Sequence, residues 1–306
     1  MKPDLISYYQ NLKEREFLLV GRFILLIWLI KVLFFDTCLA AAYPDSLLVP
    51  TGLFQLLSEE LMFFFFTQQA LTGLKVLIVI VLGAFILKPG NRWLGLGAVI
   101  LLLVFSNVNH SFGSYINHAE VALCVTTIIF VIALFVKNAT KSTNYELHIP
   151  FFFSLSAIVL TILYTQIGVY RLVHGGLALY FSEYMEMIVL ERSLQRVDHY
   201  FSLGTIFVTH EWFKTLLKTG FILTTFFEIS SPITLFFKRF RQVWLVVLIP
   251  FHISTLLLMN IFFWENVLLM LILFTGLLRT YTSYLDKKSL AGTRNVSGKA
   301  LQKCGW

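Results

Sequence analysis

The chain has 306 residues, a net charge of +7, and 13% charged against 58% hydrophobic side chains. Soluble domains carry about 25% charged residues, so a soluble globular protein is excluded, and the mean hydropathy of +0.78 points to an all-α membrane protein. The positive charge does not indicate nucleic acid, because Lys and Arg gather in short stretches between apolar segments, as membrane orientation requires.

Cys38, Cys124 and Cys304 are too few and too scattered for a disulfide or zinc framework. The opening M-K-P-D-L-I-S-Y-Y-Q-N-L-K-E-R-E has no apolar h-region, so no cleaved signal peptide is expected. Residues 1–16 read as a cytoplasmic segment, and the first apolar stretch as both signal and anchor.

Apolar stretches of about 20 residues, enough to cross a bilayer, fall near 17–39, 70–87, 92–108, 118–136, 150–174, 215–237, 243–263 and 264–280. The last two meet at Trp264-Glu265, so the sequence gives seven or eight spans, and the charges favour eight. With both ends inside, the inner segments hold Lys2, Lys13, Arg15, Arg22, Lys88, Arg92, Lys137, Lys141, Lys238, Arg239, Arg241, Arg279, Lys287, Lys288, Arg294, Lys299 and Lys303, 17 of the 24 Lys and Arg. The positive-inside bias therefore predicts a helical bundle of about eight spans, N-in and C-in, over 17–280. Its expected location is the plasma membrane of a bacterium.

Two outer segments exceed a turn. In 40–69, Pro44, Pro50 and Gly52 break regular structure, and a short interfacial helix is expected after them. The segment 182–214 is rich in Glu, Tyr, Arg and His, with apolar residues at helical spacing, which predicts an amphipathic helix over the outer mouth. The tail, 281–306, is polar and reads as loosely held cytoplasmic sequence.

The chemistry-bearing residues converge on Y-T-Q-I-G-V-Y-R-L-V-H-G-G, residues 164–176. Tyr164, Gly168, Arg171 and His174 are spaced four, three and three apart, one stripe of a helix. Ionisable groups at membrane depth are costly and usually face a bundle interior or a wet cavity. The topology brings Lys31, His118, Glu120, Arg171 and His174 toward one outward pocket, with His252 as its floor. His118, Arg171 and His252 are the candidate catalytic residues; Lys31, Glu120, Tyr164 and His174 are candidate substrate-binding residues. No metal-ligand spacing, phosphate-cradling loop or G-x-S-x-G stands in the chain. Glu228, just before Pro232, reads as a carboxylate tied to backbone groups that the proline frees.

Several short motifs, in order over roughly 17–280, resemble the HTTM family, which includes the vitamin K-dependent gamma-carboxylases. They are Arg22 with Asp36 and Y-P-D-S-L-L-V-P-T-G-L-F, I-N-H-A-E-V-A-L-C at 116–124, H-I-P-F-F at 148–152, Y-T-Q-I-G-V-Y-R-L at 164–172, F-E-I-S-S-P at 227–232 and I-P-F-H at 249–252. The resemblance places the family's characteristic histidines at His118 and His252, its catalytic base at the position of Arg171, and implies a quinone or hydroquinone as cofactor.

Here the chain departs from the pattern. A lysine amine can be tuned to lose its proton, but a guanidinium stays charged, so Arg171 cannot be the carboxylase base. Tyr170 stands where a second lysine is expected, Gly175-Gly176 where a tryptophan is, and no counterpart of the large lumenal domain of animal carboxylases is expected. A carboxylase-like membrane protein without gamma-carboxylase activity is the resulting expectation. It would act on a lipid-soluble quinol-like or peptide substrate, with Arg171 as an anion clamp. The alternative is a non-catalytic maturation, chaperone or immunity factor for a secreted peptide. The sequence shows no symmetric pair of broken helices of the kind a transporter would need.

Overall fold

The computed structural model describes residues 4–34, 49, 52–111, 118–139, 147–175, 178–194, 203–259, 263–275 and 277. Among these residues the fold is helical, with no strand. In chain order the helices are α1 (Asp4–Tyr9), α2 (Glu14–Phe34), α3 (Glu59–Phe65), α4 (Gln68–Leu87), α5 (Arg92–His110), α6 (His118–Ala139), α7 (His148–Gly175), α8 (Ala178–Phe181), α9 (Tyr184–Leu194), α10 (Gly204–Thr209), α11 (Glu211–Ile229), α12 (Lys238–Met259) and α13 (Trp264–Phe274). Five are long and apolar enough to cross a membrane: Glu14–Phe34, Gln68–Leu87, Glu120–Ala139, His148–Gly175 and Lys238–Met259. This suits an integral, multi-pass protein. Arg92–Val108 and Trp264–Phe274 are shorter apolar helices.

Local sequence explains where several helices begin. Thr67 caps α4 by accepting from Ala70 N at 3.3 Å, and Asn91, after Pro89-Gly90, caps α5 through Trp93 N and Leu94 N at 3.1 and 3.3 Å. Such caps satisfy backbone donors that a helix start leaves orphaned. Large apolar side chains such as Ile80, Val246 and Val76 stand exposed on outer faces, as a lipid-facing bundle permits. Inside, Phe17, Phe130 and Phe152 interlock with ring centroids 4.9 to 5.6 Å apart. Buried Trp28 donates to Thr127 Oγ1 at 2.8 Å.

The segment expected as a cytoplasmic N-terminus is folded onto the bundle. Tyr9 is buried, stacks on Phe153 of α7 and donates to the Leu273 carbonyl at 2.6 Å. At the adjacent end of the bundle, Glu14 pairs with both Lys137 of α6 and His148 of α7. The outer segment 40–69 holds a 3-10 turn, Gly52–Leu56, and then α3, capped by Ser58. Gly52 has φ +53°, and a Cβ there would sit 2.0 Å from Asn107 Oδ1, so no larger residue fits against α5.

Three expectations change. The sixth apolar segment, 215–237, is not one continuous helix: α11 stops at Ile229, and a 3-10 turn, Ser231–Leu235, follows with Pro232 in its first turn. The single helix expected over 182–214 is replaced by α9 and α10 on either side of residues outside the described set. The seventh expected span, α12, begins at Lys238 rather than near 243, so His252 lies 14 residues along a helix of 22. That is about 21 Å from its start and past its midpoint. The tail, 281–306, lies outside the described residues.

Candidate functional site

The site is built where α7 and α11 touch. Gly168 is buried on α7, and a Cβ on it would stand 2.8 Å from Ile229 Cγ1 and 3.0 Å from the Ile229 backbone nitrogen. Only a glycine lets the two backbones come this close. One turn further along α7, Arg171 Nη1 donates to Glu228 Oε2 at 2.6 Å. The Glu228 side chain is 1% exposed and that of Arg171 23%. The guanidinium lies 4.8 Å from the Phe221 ring centroid and 5.5 Å from that of Phe251, close enough for cation–π attraction.

Glu228 therefore has a different job from the one the sequence suggested. The backbone groups around the helix break are met by other side chains. Trp244 Nε1 donates to the Phe227 carbonyl at 3.1 Å and to Ser231 Oγ at 2.9 Å. Thr165 Oγ1 reaches the Ile229 carbonyl at 3.4 Å, and Arg241 donates to the Thr234 carbonyl at 3.1 Å. The carboxylate is left for Arg171, and a buried pair of this kind is kept only if both charges are matched.

Two turns before Arg171, the buried Tyr164 hydroxyl lies 2.7 Å from Nε2 of His252 on α12. Trp244 packs edge-on against the tyrosine ring at 5.4 Å, and Asn266 of α13 faces the same hydroxyl. Pro250 precedes this part of α12 and removes one helical donor. The phenol and imidazole together can share and pass a proton. Arg171, being permanently charged, cannot act as a base, and its charge is already balanced by Glu228 rather than free to clamp an anion.

Lys31 and Glu120 form a second cluster. Lys31 Nζ lies 2.8 Å from Glu265 Oε1 of α13 and 3.4 Å from Glu120 Oε2 of α6, with every side chain at most 4% exposed. The single pocket expected from sequence thus resolves into two packed clusters, joined at the start of α13, where Glu265 faces one and Asn266 the other. His174 joins neither. It is exposed, stacked on the Tyr170 ring at 3.9 Å, with Nδ1 3.1 Å from the Tyr170 carbonyl. Ten residues of helix fall about 80° short of three full turns, so the stripe that begins at Tyr164 has rotated off the buried face by His174. The backbone of His118 opens α6, but its side chain lies outside the described residues. The crevice lined by Trp28, Val99, Leu102, Cys124, Thr127 and Ile128 is apolar and belongs to other helices.

Sequence reasoning missed Glu265, Asn266, Trp244, Phe221 and Phe251. Glu265 belongs to the tight Trp264-Glu265 connection between spans and Asn266 directly follows it, and no periodicity announces aromatic rings that face a charge across a helix pair. Among the described residues no group of three His, Cys, Asp or Glu side chains converges as a metal site. Neither a family model nor a curated protein nor a solved structure matches the chain.

Proposed function

We propose that this chain is an HTTM-type integral membrane protein, with about eight spans and both ends in the cytoplasm of a bacterium. In this reading the polar seam of α7, α11, α12 and α13 lies toward the outer side of the membrane and moves a proton on a lipid-soluble quinol-like or peptide substrate. The activity is not gamma-carboxylation. The observation that carries the reading is the 2.7 Å contact of Tyr164 with His252, beside an arginine held in place by Glu228. A tyrosine hydroxyl on an imidazole nitrogen gives a proton a defined path. The neighbouring guanidinium, paired with Glu228, fixes α7 against α11 beside that path. His118, which opens α6, is assigned to the same outer end.

The test is a set of variants in the host that carries the gene. His252→Ala and His118→Ala should abolish function at unchanged membrane abundance. Loss of function only in step with loss of protein would remove the catalytic reading.

A second reading, a non-catalytic factor for a secreted peptide, draws on the surface of α9 and α11. Tyr184, Met187 and Trp212 are exposed there, beside the exposed carboxylate of Glu211. Glu186 is a poor probe of that surface, since it is buried in a pair with Lys218 at 2.8 Å. Charge reversal at exposed Glu183 and Glu191 is the clean test: unchanged function and unchanged co-purification of a peptide would eliminate the second reading.

A further inference from the structure

Among the described residues, three polar side-chain atoms around the start of α13 have no hydrogen-bond partner: His252 Nδ1, Asn266 Oδ1 and Glu265 Oε2. Their residues are 4%, 3% and 2% exposed, so bulk solvent does not reach them. Buried polar atoms are nearly always satisfied by protein or by ordered water, and leaving several dry in one region is costly.

The three belong to one neighbourhood. His252 and Asn266 both face the Tyr164 hydroxyl. The His252 ring lies 5.5 Å from that of Phe263, the residue before α13. Glu265 is the next residue to Asn266 and turns its other oxygen to Lys31. The unpartnered oxygens both accept, so whatever satisfies them must donate. An internal water needs two to four polar partners, and this region offers three.

We propose that the start of α13 holds buried water bound by His252 Nδ1, Asn266 Oδ1 and Glu265 Oε2. That water links the Lys31–Glu120–Glu265 cluster to the Tyr164–His252 pair. Water donates to the carboxylate and the amide oxygen, and the imidazole completes its shell at Nδ1. Protons then have a continuous hydrogen-bonded route from the carboxylates on α6 and α13 to the imidazole on α12. No substrate is needed for this site, so it stands or falls apart from the proposed function.

Water-edited solid-state NMR on the isotope-labelled full chain in lipid bilayers tests it directly, with bulk water protons as the probe. Magnetisation should reach the side chains of His252, Asn266 and Glu265 severalfold faster than those of Leu248 and Leu269, which are fully buried and apolar. Build-up at the three groups no faster than at the two leucines overturns the proposal. Asn266→Leu, close in size, should remove the fast component at His252. An unchanged rate at His252 in that variant also overturns a shared water. If that variant does not insert, the comparison within the parent protein decides alone.

Discussion

Arg171 and Glu228 sit 2.6 Å apart across the α7–α11 contact, and that pairing defines what Arg171 is able to do. Its charge is spent inside the protein, under two phenyl rings, and its partner is almost wholly buried. Removing one member of a buried pair leaves an uncompensated charge, a loss of about 3–5 kcal/mol. Arg171→Ala and Glu228→Ala should each lower the stability of the detergent-solubilised protein by an amount of that order. The double variant should lose clearly less than the sum, read by thermal unfolding followed on size-exclusion chromatography. Strict additivity would mean that the pair is not formed in solution.

Gly168 sets the spacing on which this pair depends. A methyl group there meets Ile229 and the Glu228 Cβ at 2.8 to 3.0 Å, and part of that contact is backbone. Gly168→Ala should therefore cost about 1–3 kcal/mol, the usual range for overpacking, and Gly168→Leu more. A Gly168→Ala protein as stable as the parent in the same unfolding assay would show that α7 and α11 are further apart than described.

Lys31 is the only lysine or arginine among the described members of a cluster that holds two carboxylates. Lys31→Ala should be far more harmful than Glu265→Gln, because it leaves like charges facing each other in the interior. Membrane abundance of fluorescent fusions measures this, with the expected order parent, Glu265→Gln, then Lys31→Ala. The reverse order would contradict the geometry of the cluster.

Much of the bundle could be read from sequence, because apolar runs bounded by polar turns announce themselves. The segment Lys88 to Asn91 separates α4 from α5 where expected, and α4, α5 and α6 begin within two residues of the anticipated positions. The break after Ile229 was less legible. Pro232 signalled a disturbance, but whether the helix would kink or change to a 3-10 turn depends on Trp244, Thr165 and Arg241 from other helices. Tyr164, Arg171 and His252 were identifiable as unusual polar residues in apolar segments. Which partner each would take was not, since Glu228 and Asn266 come from elements far away in the chain. His174 shows the limit of the stripe argument: spacing places residues near one face, and the drift over ten residues carried it away.

Topology has its own test. Single cysteines placed at Lys141 and Lys238 should be shielded from a membrane-impermeant maleimide in intact cells, whereas one at Glu183 should be labelled. Labelling at Lys141 or Lys238 would reverse the N-in, C-in assignment and with it the outward direction of the site.

Arg171 also bears on the comparison with carboxylases that the motifs invite. A guanidinium fixed by a carboxylate does not deprotonate a quinol. The purified protein should show no carboxylation of a glutamate-containing peptide in the presence of a vitamin K hydroquinone. Carboxylation by the parent would refute the role given to Arg171; its appearance only in Arg171→Lys would reveal a related pocket with the base restored.

The proposed function rests most directly on the Tyr164–His252 contact as a working pair. The decisive measurement is restoration of the gene-deletion phenotype by Tyr164→Phe and His252→Ala proteins expressed at the parent's membrane abundance. Loss of restoration in both, with each protein inserted and folded, is the predicted result. Full restoration by either at matched abundance would contradict it and leave the polar seam a matter of packing alone.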